Sequence, residues 1–304
     1  MFRSVLGSHG LARLAPNEIA PDKTALTTTL LLGRSARTVR IVEGTRGTLE
    51  ARVLGDGSRG SAGSRSAPLA PKEQAALEGA IRRMFALDDD LAPFYAAIAR
   101  DADLSFATRG AGRMLRSPTA FEDVVRTICT TNCAWSATTR MIEALVAHLG
   151  KSAAGAPTSG WRGRAFPAPE AMANAGDEFY RDVARAGYRG AYLRKLAELV
   201  ADGTIDLEAW RAAPRSALSD EELEERLLAL PGVGPYAAAH VMLLFGRHSR
   251  LVLDSWTRPY YAGIMGKKKI ADRTIARRFK KYGDDAGLAF WLILWKERHL
   301  AIAR

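Results

Sequence analysis

Residues 231–254 hold the two features of this chain with the clearest chemical use. Pro231-Gly232-Val233-Gly234-Pro235 breaks an apolar stretch sharply, and a short helix is expected on each side of it. Ser219 with Glu222 three residues on is a capping box, and Leu223, Leu227 and Leu230 form the stripe of the helix it opens. The second helix begins near Pro235 and continues through Ala237 to Leu244. Residues 219–246 therefore read as a tight helix–hairpin–helix. Glycine permits positive φ and leaves no side chain in front of the backbone. The first amides of the second helix then point outward at the positive end of its dipole, which suits a phosphate. Asp254 follows the apolar triplet Leu251-Val252-Leu253, twenty residues after Gly234, at the edge of the core. Alone it reads as a helix N-cap. Its spacing from the hairpin favours a carboxylate placed to act on a ligand.

The elements that must carry these residues change in texture along the chain. Thr24–Leu32, Thr38–Val42 and Thr48–Leu54 are rich in Thr, Val, Ile and Leu, with a turn at Gly44–Gly47, and read as strands. Residues 55–66, GDGSRGSAGSRS, hold no core-forming side chain and read as a linker. From Pro71 onward the pattern is helical. One helix is expected to open at Ser117-Pro118 with Pro at its first position, and another to resume at Trp135 and stop at Gly150. Further helices are expected over Phe179–Ala186, Tyr192–Ala201, Asp220–Leu230, Tyr236–Phe245, Ile270–Tyr282 and Asp285–Leu300. The fold class is α+β: a small N-terminal antiparallel-sheet α/β domain with its linker, residues 1–70, then an all-helical body, residues 71–304.

Composition narrows the partners. The chain carries 44 Lys and Arg against 33 Asp and Glu, a net charge of +11, which favours a polyanion, nucleic acid before an anionic membrane. Two cysteines are too few for a disulfide scaffold or a four-cysteine cluster, and five scattered histidines show no HExxH pattern. The longest apolar run, Leu288–Trp295, is far short of the ~20 residues a spanning helix needs, and the N-terminus lacks the apolar core of a signal peptide. A cytoplasmic protein is expected, nucleoid-associated if bacterial, and monomeric.

LPGVGPYAAAHVMLL followed by LVLDSWTR resembles the helix–hairpin–helix, Gly/Pro-rich, Asp superfamily of DNA glycosylases, which remove damaged bases. FEDVVRTICTTNCAWSATTRMIEAL, AGYRGAYLRKLAELV and AGLAFWLILW are similar to other helices of that body. The strand-rich N-terminus resembles in texture the extra domain of the 3-methyladenine and 8-oxoguanine branches. The resemblance implies double-stranded DNA with a damaged base as partner and Asp254 as catalytic carboxylate. Such a group opposes the positive charge that develops on the sugar and orients the attacking water. It also implies that the amides of Gly232, Gly234 and Ala237 hold a phosphate. The carbonyls of Leu228, Leu230 and Val233 match those that can bind a structural monovalent cation. No cofactor is required, and the cysteines of the iron–sulfur branches are missing. Members that also cut the strand carry a lysine two residues after the second glycine, where this chain has Tyr236; a phenol forms no Schiff base. A monofunctional enzyme is therefore expected.

A flipped base needs an aromatic platform. Tyr236 and Trp256 flank the hairpin and the aspartate, and Trp135 and Phe290 are further candidates, Phe290 matching a base-reading position of the 8-oxoguanine branch. An aromatic cleft suits positively charged alkylpurines. Asn132 matches the asparagine that fills the vacated stack in the 8-oxoguanine branch, and Lys267 and Lys268 are candidate phosphate contacts. The reading is a glycosylase for alkylated purines. The alternatives are an 8-oxoguanine-type glycosylase/lyase and a catalytically silent hairpin DNA binder.

Overall fold

The computed structural model describes residues 1–55 and 69–296; most of the expected linker lies outside them. The chain opens with helix α1 (Phe2–Leu6), followed by strands β1 (Glu18–Ile19), β2 (Ala25–Leu32), β3 (Ser35–Glu43) and β4 (Leu49–Val53). They form one antiparallel sheet in the order β1-β2-β3-β4. The register pairs Leu32 with Ser35, so β2 and β3 are joined by Gly33-Arg34, and Gly33 takes the positive φ that a two-residue turn demands. Helices follow: α2 (Pro71–Met84), α3 (Ala92–Ile98), α4 (Ala120–Thr130), α5 (Trp135–Leu149), α6 (Pro169–Ala173), α7 (Arg189–Ala201) and α8 (Leu207–Ala212). The last five are α9 (Asp220–Leu228), α10 (Pro235–Leu244), α11 (Thr257–Ile264), α12 (Asp272–Phe279) and α13 (Ala286–Leu294).

Two apolar clusters organise the chain. In the first, Leu26, Leu30, Val39 and Ile41 of the sheet pack on Phe2, Val5 and Leu6 of α1 and on Leu77, Ile81 and Met84 of α2. Helix α2, which the sequence reading sets at the start of the second part, thus closes the sheet. The second cluster is the helical body, centred on α4, α10 and α13. Every residue of α10 from Ala237 to Leu244 is buried, as is all of α13, which is why both helices are apolar all round. The N-terminal stretch straddles the two clusters: Phe2, Val5, Leu6 and Ala12 belong to the first, Leu11 and Leu14 to the second. Arg126 of α4 clamps this stretch by donating to the carbonyls of Leu11 (3.2 Å) and Ala15 (3.0 Å).

Several expected boundaries move. Helix α4 starts after Thr119, whose Oγ1 caps the Glu122 amide, so Pro118 stands before the helix and not at its first position. The span expected as Phe179–Ala186 is a π-helical turn over Phe179–Val183, and α7 starts at Arg189, earlier than its apolar period suggests. The helix expected over Ile270–Tyr282 is α12 alone; a 3-10 turn with a positive φ at Gly283 separates it from α13. Helix α13 ends at Leu294, and the expected extension to Leu300 passes out of the described residues.

Candidate active site

The hairpin forms as its residues require. Ser219 Oγ accepts from the Glu222 amide (3.2 Å), while Glu222 Oε2 accepts from the Ser219 amide (2.9 Å), so α9 starts with both orphan donors paired. The turn closes by the Val233 amide donating to the Leu230 carbonyl (3.2 Å). The two glycines do different jobs. Gly232 has φ +79°, and a Cβ there would stand 2.9 Å from Cδ2 of Tyr192. Gly234 corrects the expectation that both glycines serve positive φ: it is extended (φ −102°, ψ −176°), caps α10, and a Cβ would meet nothing within 4 Å. It keeps the approach to the helix open. Among the described residues the amides of Gly232, Gly234, Tyr236 and Ala237 find no acceptor, and the first intrahelical bond is Ala238 to the Gly234 carbonyl (2.9 Å). A free row of amides at a helix start is an anion site in waiting.

Asp254 is held by the backbone. Its Oδ1 accepts from the amides of Trp256 (2.8 Å) and Thr257 (2.6 Å), and Thr257 Oγ1 accepts in turn from the Asp254 amide (2.8 Å). The carboxylate does cap the approach to α11, but with one oxygen; Oδ2 makes no hydrogen bond to any described residue. A half-buried carboxylate with one oxygen anchored and one free is fixed in direction without being neutralised.

Tyr236 stands at the second position of α10, half-buried. Its hydroxyl lies 3.1 Å from Thr130 Oγ1 and 3.3 Å from His240 Nδ1. Burial pushes the phenol up to about 12, and the charge of Asp254 pushes in the same direction, so the two groups share one electrostatic environment. A run of ring contacts continues from there. His240 packs on Trp291 (5.5 Å between centroids), Trp291 on Trp295 (5.7 Å), Trp295 on Trp256 (5.6 Å), and Trp256 stacks on Tyr260 (5.1 Å). Trp256 and Tyr260 are exposed, while Trp291 and Trp295 are buried beneath them.

The structure thus gathers Tyr236, Asp254 and Trp256 and corrects the place of Phe290. That ring is fully buried on the opposite side of α13, against Tyr261 and Phe279, so the helix turns Trp291 and Trp295 to the site instead. An all-apolar helix carries no periodic signal to say which side faces a ligand. Trp135 is half-exposed and lies against Gly10, whose Cβ would stand 3.1 Å from its ring. Asn132 sits in the α4–α5 turn with φ +47°, exposed, and donates weakly to the Tyr188 hydroxyl (3.4 Å). Lys267 and Lys268 are exposed beyond the far end of α11 and have no ion-pair partner among the described residues.

Sequence reasoning missed Tyr188 and Tyr192. They are exposed, meet edge to face at 5.9 Å, and bridge Asn132 to Gly232. Arg189 pins this corner by donating to the Thr131 carbonyl (3.0 Å). The available signal was a pair of tyrosines four apart, one turn of helix, in a segment with few other reasons for aromatics. No cluster of three or more metal-ligating side chains occurs among the described residues, and no helix there is long and apolar enough to cross a membrane.

No family model and no curated protein matches the sequence. Solved structures do. MBOgg1 in complex with a low-affinity DNA ligand matches with TM-score 0.70 at 20% identity, over 99% of this chain and 93% of that one. The Clostridium acetobutylicum 8-oxoguanine glycosylase/lyase, in complex with double-stranded DNA containing cytosine opposite 8-oxoguanine, matches with TM-score 0.70 at 17% identity, over 99% and 92%. The 3-methyladenine DNA glycosylase from Archaeoglobus fulgidus matches with TM-score 0.71 at 17% identity, over 98% and 95%. The sheet and the helical body are matched together, and the chain has the fold of the helix–hairpin–helix DNA glycosylases over nearly its whole length.

Proposed function

We propose that this protein is a monofunctional DNA glycosylase that turns an alkylated purine out of duplex DNA and hydrolyses its N-glycosidic bond. The observation that carries the reading is Asp254, with one oxygen anchored by two amides and the other free, sharing its surroundings with a tyrosine at the start of α10. The free amides of Gly234, Tyr236 and Ala237 would take a phosphate beside the extruded nucleotide. The carbonyls of Leu228 and Val233 accept no backbone N–H, and that of Leu230 keeps a second lone pair, so the turn offers oxygens suited to a hard monovalent cation. Such an ion would add positive charge next to that phosphate.

In the reaction the bond between sugar C1′ and the base nitrogen breaks and its electron pair leaves with the base. Positive charge gathers on the sugar, and ionised Asp254 opposes it most strongly in the transition state. Water then forms the new bond to C1′ and gives up a proton, for which Asp254 Oδ2 is the nearest acceptor in this reading. An alkylated purine carries positive charge already, which makes it a good leaving group and draws it to the faces of Trp256 and Tyr260. Tyr236 has no amine to attack the sugar. Lys267, Lys268 and Lys269 follow α11, whereas Asp254 precedes it, and eight helical residues span about 12 Å. The abasic strand should therefore leave intact.

A panel of duplexes with 3-methyladenine-type, hypoxanthine, 8-oxoguanine or uracil lesions tests this. Excision of the alkylated purine, with strand breaks only after alkali, is the expected result. A borohydride-trapped adduct, preference for 8-oxoguanine, or binding without excision of any lesion would each overturn it.

A further inference from the structure

Four rings and hydroxyls connect the N-terminal stretch to Tyr236. His9 Nε2 bonds the Leu115 carbonyl at 2.7 Å. A carbonyl only accepts, so Nε2 carries the hydrogen and Nδ1 of His9 keeps a lone pair. That Nδ1 is buried and unpaired, and the one other unpaired imidazole nitrogen recorded among the described residues is Nε2 of His240. The two rings are neighbours, edge to face at 6.0 Å. Nδ1 of His240 lies 3.3 Å from the Tyr236 hydroxyl. The other partner of that hydroxyl, Thr130, already gives its hydrogen to the Thr127 carbonyl (2.6 Å). The surroundings hold the stretch in place: Ser8 Oγ accepts from the Leu115 amide (3.0 Å), and Trp291 Nε1 donates to the Ser8 carbonyl (2.9 Å).

We propose that His9 and His240 form a positioning chain that orients the Tyr236 hydroxyl, making the N-terminal stretch a working part of the site. Each neutral imidazole has one donor and one acceptor. With Nε2–H on His9, only Nε2–H on His240 gives complementary groups between the rings. The opposite choice sets lone pair against lone pair and leaves two buried atoms unpaired, at full desolvation cost. His240 Nδ1 is then an acceptor, and so is Thr130 toward Tyr236. The phenol must donate its hydrogen into the protein and present its oxygen lone pair to the site. Both imidazoles stay neutral near pH 7, because burial holds His9 down at about 3 and His240 at about 4.

The orientation of Tyr236 follows from the structure alone; its value for catalysis rests on the glycosylase reading. Two measurements separate them. Long-range proton–nitrogen NMR of the histidines in the full chain should show His9 and His240 as neutral Nε2–H tautomers at pH 7; an Nδ1–H tautomer at His240 overturns the chain whatever the enzyme does. In single-turnover excision, His9→Leu should slow the reaction about tenfold, the scale of one misdirected hydrogen bond, with duplex affinity unchanged. His9→Gln keeps a donor for Leu115 and an acceptor for His240, and should recover most of the rate. A purely architectural histidine predicts a lower melting temperature for His9→Leu with the rate intact, and that result overturns the positioning role. Absence of excision by the unmodified protein would sink the glycosylase reading and leave the tautomer result standing.

Discussion

Replacing the two hairpin glycines by valine separates phosphate binding from folding, because the backbone treats them differently. Gly234 is extended and a Cβ there meets nothing within 4 Å, so valine fits the fold. Its cost is the loss of a good N-cap residue, about 1 kcal/mol, partly offset by about 0.4–1 kcal/mol of unfolded-state entropy removed. The melting temperature should move by about 2–4 °C at most. The branched side chain nevertheless stands over the free amides of α10. Hydrogen bonds to a charged group are worth about 1.5–3 kcal/mol, so affinity for any duplex, damaged or not, should fall about 10- to 150-fold. Gly232→Val differs: φ is +79° and Tyr192 Cδ2 stands 2.9 Å from the new Cβ. Strain of about 1–3 kcal/mol plus displacement of Tyr192 should lower stability visibly. Fluorescence anisotropy on a labelled duplex, with melting curves on the same preparations, reads both quantities. Gly234→Val binding duplex within twofold of the unmodified protein would refute the amide row as the phosphate site.

Three further outcomes are expected. Asp254→Asn should abolish excision while lesion-DNA affinity stays within about tenfold, since the carboxylate acts on charge that arises only in the transition state; near-normal single-turnover rates would remove Asp254 from the mechanism. Tyr188→Ala and Tyr192→Ala should each weaken binding to lesion duplex by about tenfold at unchanged melting temperature, on the scale of ~1–3 kcal/mol per stacked base, and a wholly silent pair would show these rings to be surface decoration. Acid should destabilise the fold between pH 6.5 and about 4: His9 and His240 bind protons in the unfolded chain near 6.5 but in the folded one only at about 3 and about 4. Stability from their neutrality is present above 6.5 and is lost as pH falls, about 2 kcal/mol for each by pH 5. A double variant, His9→Gln with His240→Gln, should show a shallower decline in melting temperature from pH 7 to pH 5, and an unchanged decline would contradict the burial of these groups.

The features legible in the sequence are those written in local, short-range chemistry. A capping box, a Pro-Gly-Val-Gly-Pro break and alternating β-branched strands act over a few residues, so Ser219, Glu222, Gly232 and the β2–β3 hairpin needed no tertiary information. Asp254 was visible for the same reason, as an acid directly after an apolar triplet. What tertiary structure alone decided are the choices that local pattern leaves degenerate. Gly234 could serve φ or access, and its extended backbone selects access. Helix α13 is apolar on every side, and only its packing buries Phe290 and turns Trp291 and Trp295 toward Trp256. Tyr188 and Tyr192 gain meaning because α7 comes to rest beside the hairpin and the α4–α5 turn. The longest reach is that of His9, which bonds Leu115 106 positions away and meets His240 from a stretch wedged between the two apolar clusters. No sequence window spans such a separation; the pairing exists because a buried imidazole must find partners, and the packed core determines which ones stand within reach.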